Sequence, residues 1–255
     1  MVGTTVVEPL LTDALLDEIR RLATTADRPA LIVSGNAHGL VLAQRDPTMR
    51  TVYSIADLVR TDGASLVLAA RLQGVRGVTR CTWAELIWLL AMTLEQADLS
   101  LYLLGGRAQA VDATARRLRE HHPRLRLMGH HDGYFDQSPG SAGSAAIVAD
   151  LHSTAPDVVV VGLGMPRQER WLLDHLHELP PAAYLTAGAV FDYASGMLRR
   201  PPAWMCDHGL EWLGRIVIEP RRLFLRYAAD LPRFGLLALT SAVRARRARG
   251  GAAPR

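Results

Sequence analysis

The chain has no lysine: all 29 of its basic residues are arginine. It has only two cysteines, Cys81 and Cys206, far apart and without metal-ligand spacing. That excludes a disulfide framework and a zinc site, and leaves free thiols in a reducing compartment as the expectation. It also lacks a hydrophobic run long enough to cross a bilayer. The most apolar stretch, Leu86 to Leu104, is interrupted by Glu95, Gln96 and Asp98, and Phe234 to Val243 is about half the length of a span. The opening MVGTTVVEPLLTDALL has no basic segment and carries early acids, so no secretory leader is expected. No Asp-x-Asp pair occurs anywhere. Such a pair commonly holds the metal that neutralises a diphosphate, so a nucleotide-sugar enzyme of this sequence would have to use arginine instead.

What is present is unevenly charged. From Arg199 onward there are 12 arginines against four acids, whereas the first 198 residues hold 17 arginines against 21 acids. The cationic end interleaves its arginines with Trp, Leu, Ile, Phe and Tyr, a composition that suits an anionic membrane surface or a pyrophosphate. Arginine's planar fork also favours bidentate phosphate contacts. Nucleic acid is a poorer fit, because the apolar residues there are not arranged as base-stacking platforms.

Along the chain, apolar runs ending in turn residues alternate with stretches of helical periodicity. ALIVSGN (30–36), YSIADLV (53–59) before Thr61-Asp62-Gly63, SLYLLGG (100–106) and PDVVVVGLGMP (156–166) read as strands ending in turns, and LRLMGHHDGYF (125–135) and AAYLTAGAVFDYASG (182–196) each as a strand and loop. Residues 37–44, 84–97, 108–121, 145–152 and 168–177 read as helices. This alternation predicts an α/β fold: a Rossmann-like, mostly parallel sheet with helices on both faces and ligands at the strand carboxyl ends. The core is expected over 1–198, followed by an amphipathic arginine-rich helical appendage over 199–249 and a disordered tail over 250–255. Within the appendage, Trp212, Leu213, Ile216 and Val217 form one apolar stripe. Pro220 suits the first turn of a second helix, with Leu223, Phe224 and Tyr227 inward, which Pro232 should stop.

The candidate site residues lie where these strands end. Gly162 and Gly164 in GLGMPRQERW would let backbone N–H groups approach a phosphate at a helix N-terminus, or simply form a tight turn. Gln168 and Glu169 follow in the first helical turn, where an acid is favourable as a cap in any case. Gly105 ends the LYLLGG strand. Asp62, in Thr-Asp-Gly, and Asp192, in VFDYASG, are positioned either as catalytic acids or as turn formers. Ser34 and Asn36 could hold a sugar hydroxyl or make a turn. The adjacent His130 and His131 point apart on a strand and lack a third ligand, so a loop is the better reading than a metal.

The order of these segments is more specific than any one of them. Ser34-Gly35-Asn36, ADLVRTDG, LYLLGG, GHHDGYF, PDVVVVGLGMPRQERW, AGAVFDYASGMLRRPPAWM and GLEWLGRIVIEPRRLFLRY, over Leu31 to Leu231, resemble the WecG/TagA/CpsF glycosyltransferases (glycosyltransferase family 26). The resemblance implies an inverting, metal-independent and cofactor-free transfer of a hexose or N-acetylhexosamine, of the N-acetylmannosamine type. The donor would be a UDP-sugar and the acceptor a polyprenyl-diphosphate-linked sugar, in cell-wall polymer or exopolysaccharide synthesis. It implies a cytoplasmic enzyme, peripheral on the inner membrane face, whose appendage covers the site and touches an anionic membrane; a homo-oligomer is left open. It carries the general base onto Asp62 and a catalytic hydroxyl onto Ser34. Substrate contacts fall on Asn36, on Pro166, Gln168 and Glu169, and on the appendage residues Arg215, Arg221 and Arg222. The family's Arg-Val-x-Gly-x-Asp stretch reads Gly77-Val78-Thr79-Arg80-Cys81-Thr82 here. Arg80 and Thr82 therefore imply either a different substrate or, as the competing reading, a catalytically impaired nucleotide-binding scaffold of a polysaccharide assembly complex.

Overall fold

The computed structural model describes residues 7, 11–75, 78, 82–202, 204–205, 211–218 and 220–250; within the last two stretches the side chains of 211, 212, 215, 218, 220–224, 226 and 246–250 lie outside that description. Cys81, Arg80 and Cys206 also lie outside the described residues. Six strands, β1 (Ala30–Gly35), β2 (Leu58–Thr61), β3 (Ser100–Gly105), β4 (Arg126–His131), β5 (Val158–Gly162) and β6 (Ala183–Thr186), form one sheet in the order β2-β1-β6-β5-β3-β4. Every pairing is parallel. The fold is thus Rossmann-like α/β, and the sheet is wholly rather than mostly parallel.

Its central strands are apolar on both faces because helices cover both, and alternate residues divide between two cores. Ile32, Leu101, Leu103, Val158 and Val160 pack beneath α1 (Thr12–Thr25), α5 (Trp83–Gln96), α6 (Ala108–His121) and α9 (Val190–Ala194). Leu31, Val33, Tyr102, Leu104, Val159 and Val161 face the other layer. That layer contains α2 (Ala37–Ala43), α3 (Pro47–Ile55), α4 (Ala64–Leu72), α7 (Ala142–Thr154) and α8 (Arg167–Asp174).

Two expected boundaries move. Residues 53–55 belong to α3, and β2 begins only at Leu58. Asp46 caps α3 through Thr48 N and Met49 N, and its Pro at the first position favours the helix, which carries on until the chain turns at Ala56. At the other end, α10 (Glu211–Ile218) precedes α11 (Pro220–Gly250), which passes straight through Pro232. The pyrrolidine ring faces solvent, and tertiary contacts on either side hold the helix. His38 Nδ1 meets Asp230 Oδ2 at 2.6 Å, while Phe234 and Ala238 enter the second core against α2. Packing therefore offsets the lost backbone hydrogen bond. Phe234→Ala is expected to cost about 3 kcal/mol. Proteolysis should then cut α11 before the sheet; equal cutting of both would contradict this placement.

Candidate functional site

Each parallel strand delivers its last residues to one edge of the sheet. β3 leads outward to β4 while its neighbour β5 leads back to β6, so the chain reverses direction between them. At such a switch point the loops diverge and leave a crevice. Its floor is glycine. Gly105 pairs with Gly162 across the two strands, and a Cβ on Gly105 would lie 2.4 Å from the Gly162 carbonyl carbon. Gly106 N donates to Gly162 O, and Gly133 N donates to Gly106 O. The GHHDGYF loop is thereby tied to the same floor, with Tyr134 exposed above it. Arg107, in the loop after β3, and Asp192, in the first turn of α9, approach to 3.6 Å.

The β5–α8 and β6–α9 loops are joined by one side chain. Gln168 Oε1 accepts from Gly164 N at 3.2 Å and from Gly188 N at 3.0 Å. Its Nε2 donates to Glu169 Oε1 at 2.8 Å. Gln168 is 1% exposed and Glu169 is 0% exposed, so both work from beneath the loops. Two N–H groups of the glycine loops are therefore already engaged by a side chain. Burial raises the Glu169 carboxyl to about 7. Pro166 caps α8, after a cis Met165–Pro166 bond.

Asp62 stands just past β2, where its N–H donates to Gly35 O at 2.8 Å and fixes the turn. Its carboxylate is 23% exposed and lies 3.7 Å from the guanidinium of the fully buried Arg60. That guanidinium stacks over Trp83 at 4.8 Å from the ring centroid. Trp83 Nε1 in turn donates to Thr186 O at 2.9 Å and to Ser34 Oγ at 3.2 Å. Ser34 donates its hydroxyl proton to Thr186 O, and its N–H donates to Thr186 Oγ1. The Ser34 hydroxyl is thus inside the network that joins β1 to β6. Tyr53 donates to Ser34 O at 3.1 Å. Its hydroxyl is held well above its ordinary range by burial, then by the charges of Glu169 and Asp62.

The structure brings Ser34, Asp62, Gly105, Gly162, Gly164, Gln168, Glu169 and Asp192 to this edge. Asn36 caps α2, accepting from Gly39 N at 2.9 Å. Arg215, Arg221 and Arg222 sit on the backbones of α10 and α11, and their side chains lie outside the described residues. Arg60, Trp83, Thr186 and Tyr53 were not foreseen. Replacing Trp83 with Phe removes the donor to two acceptors, which should cost about 1–2 kcal/mol. If the network positions Asp62 through Arg60, turnover should fall in the same variant; full turnover at lowered stability would make the network purely structural.

Among the described residues, no three His, Cys, Asp or Glu side chains gather as metal ligands. No described helix is long and apolar enough to cross a membrane. The arrangement, a carboxylate at one strand end and a glycine-floored crevice at the same edge of the sheet, suits proton abstraction beside a bound phosphate ester. The model of the Glycosyl transferase WecG/TagA/CpsF family matches residues 1–248, and this chain belongs to that family.

Proposed function

We propose that this glycosyltransferase moves a hexose or N-acetylhexosamine from a UDP-sugar to a polyprenyl-diphosphate-linked sugar, with inversion and without metal. The observation that carries the reading is Asp62. It is a partly exposed carboxylate at a strand carboxyl end, fixed by its own backbone and backed by the buried Arg60. In an inverting displacement one carboxylate takes the proton of the acceptor hydroxyl as that oxygen attacks the anomeric carbon. UDP leaves from the opposite face carrying new negative charge.

The nucleotide is placed over the Gly105–Gly162 floor, with Asp192 and Arg107 at its rim. Ser34, Asn36, Pro166, Gln168 and Glu169 shape the loops around it. Leaving-group stabilisation falls to arginine: Arg107 on the core, and Arg215, Arg221 and Arg222 on the appendage. A cover that closes over the crevice also excludes water that would hydrolyse the donor.

The acceptor's lipid places the reaction at the inner face of the cell membrane. Supporting this, α10 and α11 expose Leu213, Val217, Leu225, Leu236, Leu239 and Val243, and the neighbouring α4 exposes Leu68. Arg233 and Arg244 are exposed on the same long helix. Each arginine near an anionic surface contributes about 1 kcal/mol.

The test offers a panel of UDP-sugars with a short-chain polyprenyl-diphosphate-sugar, in EDTA, and weighs the lipid product. A gain of one sugar residue supports the transfer. An unchanged lipid in the presence of bound UDP would favour the scaffold reading, and activity only with added divalent metal would overturn the metal-free mechanism.

A further inference from the structure

Glu169 is a carboxyl with no direct place in the transfer. It is completely buried, so no substrate atom reaches it. One oxygen accepts from Gln168 Nε2; the other, Oε2, has no hydrogen-bond partner among the described residues. Among the described residues no arginine or histidine forms an ion pair with it. The titratable hydroxyl that feels its charge is that of Tyr53 on α3. The adjacent Arg170 turns outward to Asp46.

A primary amide has a donor end and an acceptor end, and the two are not interchangeable here. Gln168 must present its oxygen to Gly164 N and Gly188 N, because a reversed amide would set its NH₂ against two N–H donors. Glu169 Oε1, accepting from Nε2, holds the other end of the amide in that orientation. It can accept in either protonation state, but a buried carboxylate without a cation is costly, so burial shifts the balance toward the neutral acid. A phosphate over the loops would add a negative charge close to the same carboxyl and favour the neutral form further.

We infer that Glu169 is a positioning residue that acts as a neutral acid: it fixes the Gln168 amide, the amide ties the two glycine loops together, and nucleotide binding above them draws a proton onto Glu169. The inference rests on the UDP-sugar reading above. Burial holds this carboxyl near neutrality, at about 7, so the linkage falls in an accessible window. The free carboxyl ionises as pH rises through that value. Nucleotide affinity is therefore full below it and declines above it, toward the higher value the carboxyl takes under the bound anion. The phosphate's own titration lies lower, near about 6.

The experiment is calorimetric titration of the full chain with UDP at about pH 7.5, in buffers of different ionisation enthalpy, repeated across the pH range. Wild type is expected to take up roughly half a proton per UDP, with affinity falling up to about tenfold from about pH 6.5 to 8.5. Glu169→Gln, which still accepts from Gln168, should bind UDP without that uptake and with a flat profile. Glu169→Leu should bind more weakly at every pH, because the amide loses its partner. Absence of proton uptake in wild type, or uptake that persists in Glu169→Gln, would overturn the inference. The wild-type measurement decides even where a variant does not fold. Wild type that fails to bind UDP at any pH would instead remove the donor-site reading, and the inference with it.

Discussion

Asp62→Asn is expected to lower turnover by about 10²–10⁴-fold while leaving UDP affinity nearly unchanged. The amide is nearly isosteric with the carboxylate and cannot accept the acceptor's proton. Asp62 is held by its backbone N–H on Gly35 O, and among the described residues its carboxylate accepts no hydrogen bond and has only the 3.7 Å approach of Arg60. The variant should therefore keep its melting temperature, and the loss should appear in kcat rather than in KM for the donor. Steady-state kinetics beside a thermal melt separates the outcomes. A variant that stays fully active would move the base elsewhere, and Asp192, the other acid at this edge, would be the next residue to test. A variant that simply unfolds would make Asp62 a structural residue of the turn.

Gly105→Ala is expected to be the most damaging small change at the site. Its φ is +129°, a conformation side chains rarely adopt, and the new Cβ would lie within 2.4–2.9 Å of three backbone atoms of Gly162. Backbone in a paired parallel strand cannot swing aside as a side-chain tip can. Strain and overpacking together should cost about 3–5 kcal/mol, or roughly 10 °C in Tm for a chain of this size. Gly63→Ala is the control. Its φ is +93°, but a Cβ there meets nothing within 4 Å, so only the conformational cost remains. That cost is about 1–2 kcal/mol. Equal melting temperatures for the two variants would show that the Gly105–Gly162 approach is not tight. Nucleotide binding should fail in Gly105→Ala before global unfolding does, because the displaced strand end is the crevice floor.

Much of this architecture was legible in the order of residues. A parallel strand covered on both faces must be apolar throughout, so VVVVG and SLYLLG announced themselves, and glycines at their ends marked where backbones meet. Ser34, Asp62, Gly105 and Gly162 read as strand-end positions, and each stands within one residue of a strand's last position. What could not be read was anything made by distant pairing. Ser34 and Thr186 are 152 positions apart, and Trp83 reaches both from the start of a helix whose sequence shows only an apolar face. Arg60 sits inside an apolar strand and gives no periodic signal that it is buried against Trp83. Gln168 and Glu169 were visible as polar groups in a first helical turn, but the sequence could not show that they point under the loops. Pro232 misled because a helix stop is a local rule, and the docking of Asp230 and Phe234 on α2 is not local.

The C-terminal helix α11 packs on the core at α2. His38 lies in the first turn of α2, two residues beyond Asn36, and its contact with Asp230 ties α11 to the element that leaves the Ser34 strand end. The same helix keeps Leu225, Leu236, Leu239 and Val243 exposed.

The central claim is glycosyl transfer from a UDP-linked donor, and it is tested most directly by acceptor dependence. UDP release would be followed with each of several UDP-sugars, with and without a short-chain polyprenyl-diphosphate-sugar, on the full chain. The account predicts that one donor is consumed many times per enzyme molecule only when the acceptor is present. UDP released at the same rate without acceptor would mean a hydrolase, and no release from any donor although UDP binds would mean that this site holds a nucleotide without transferring its sugar.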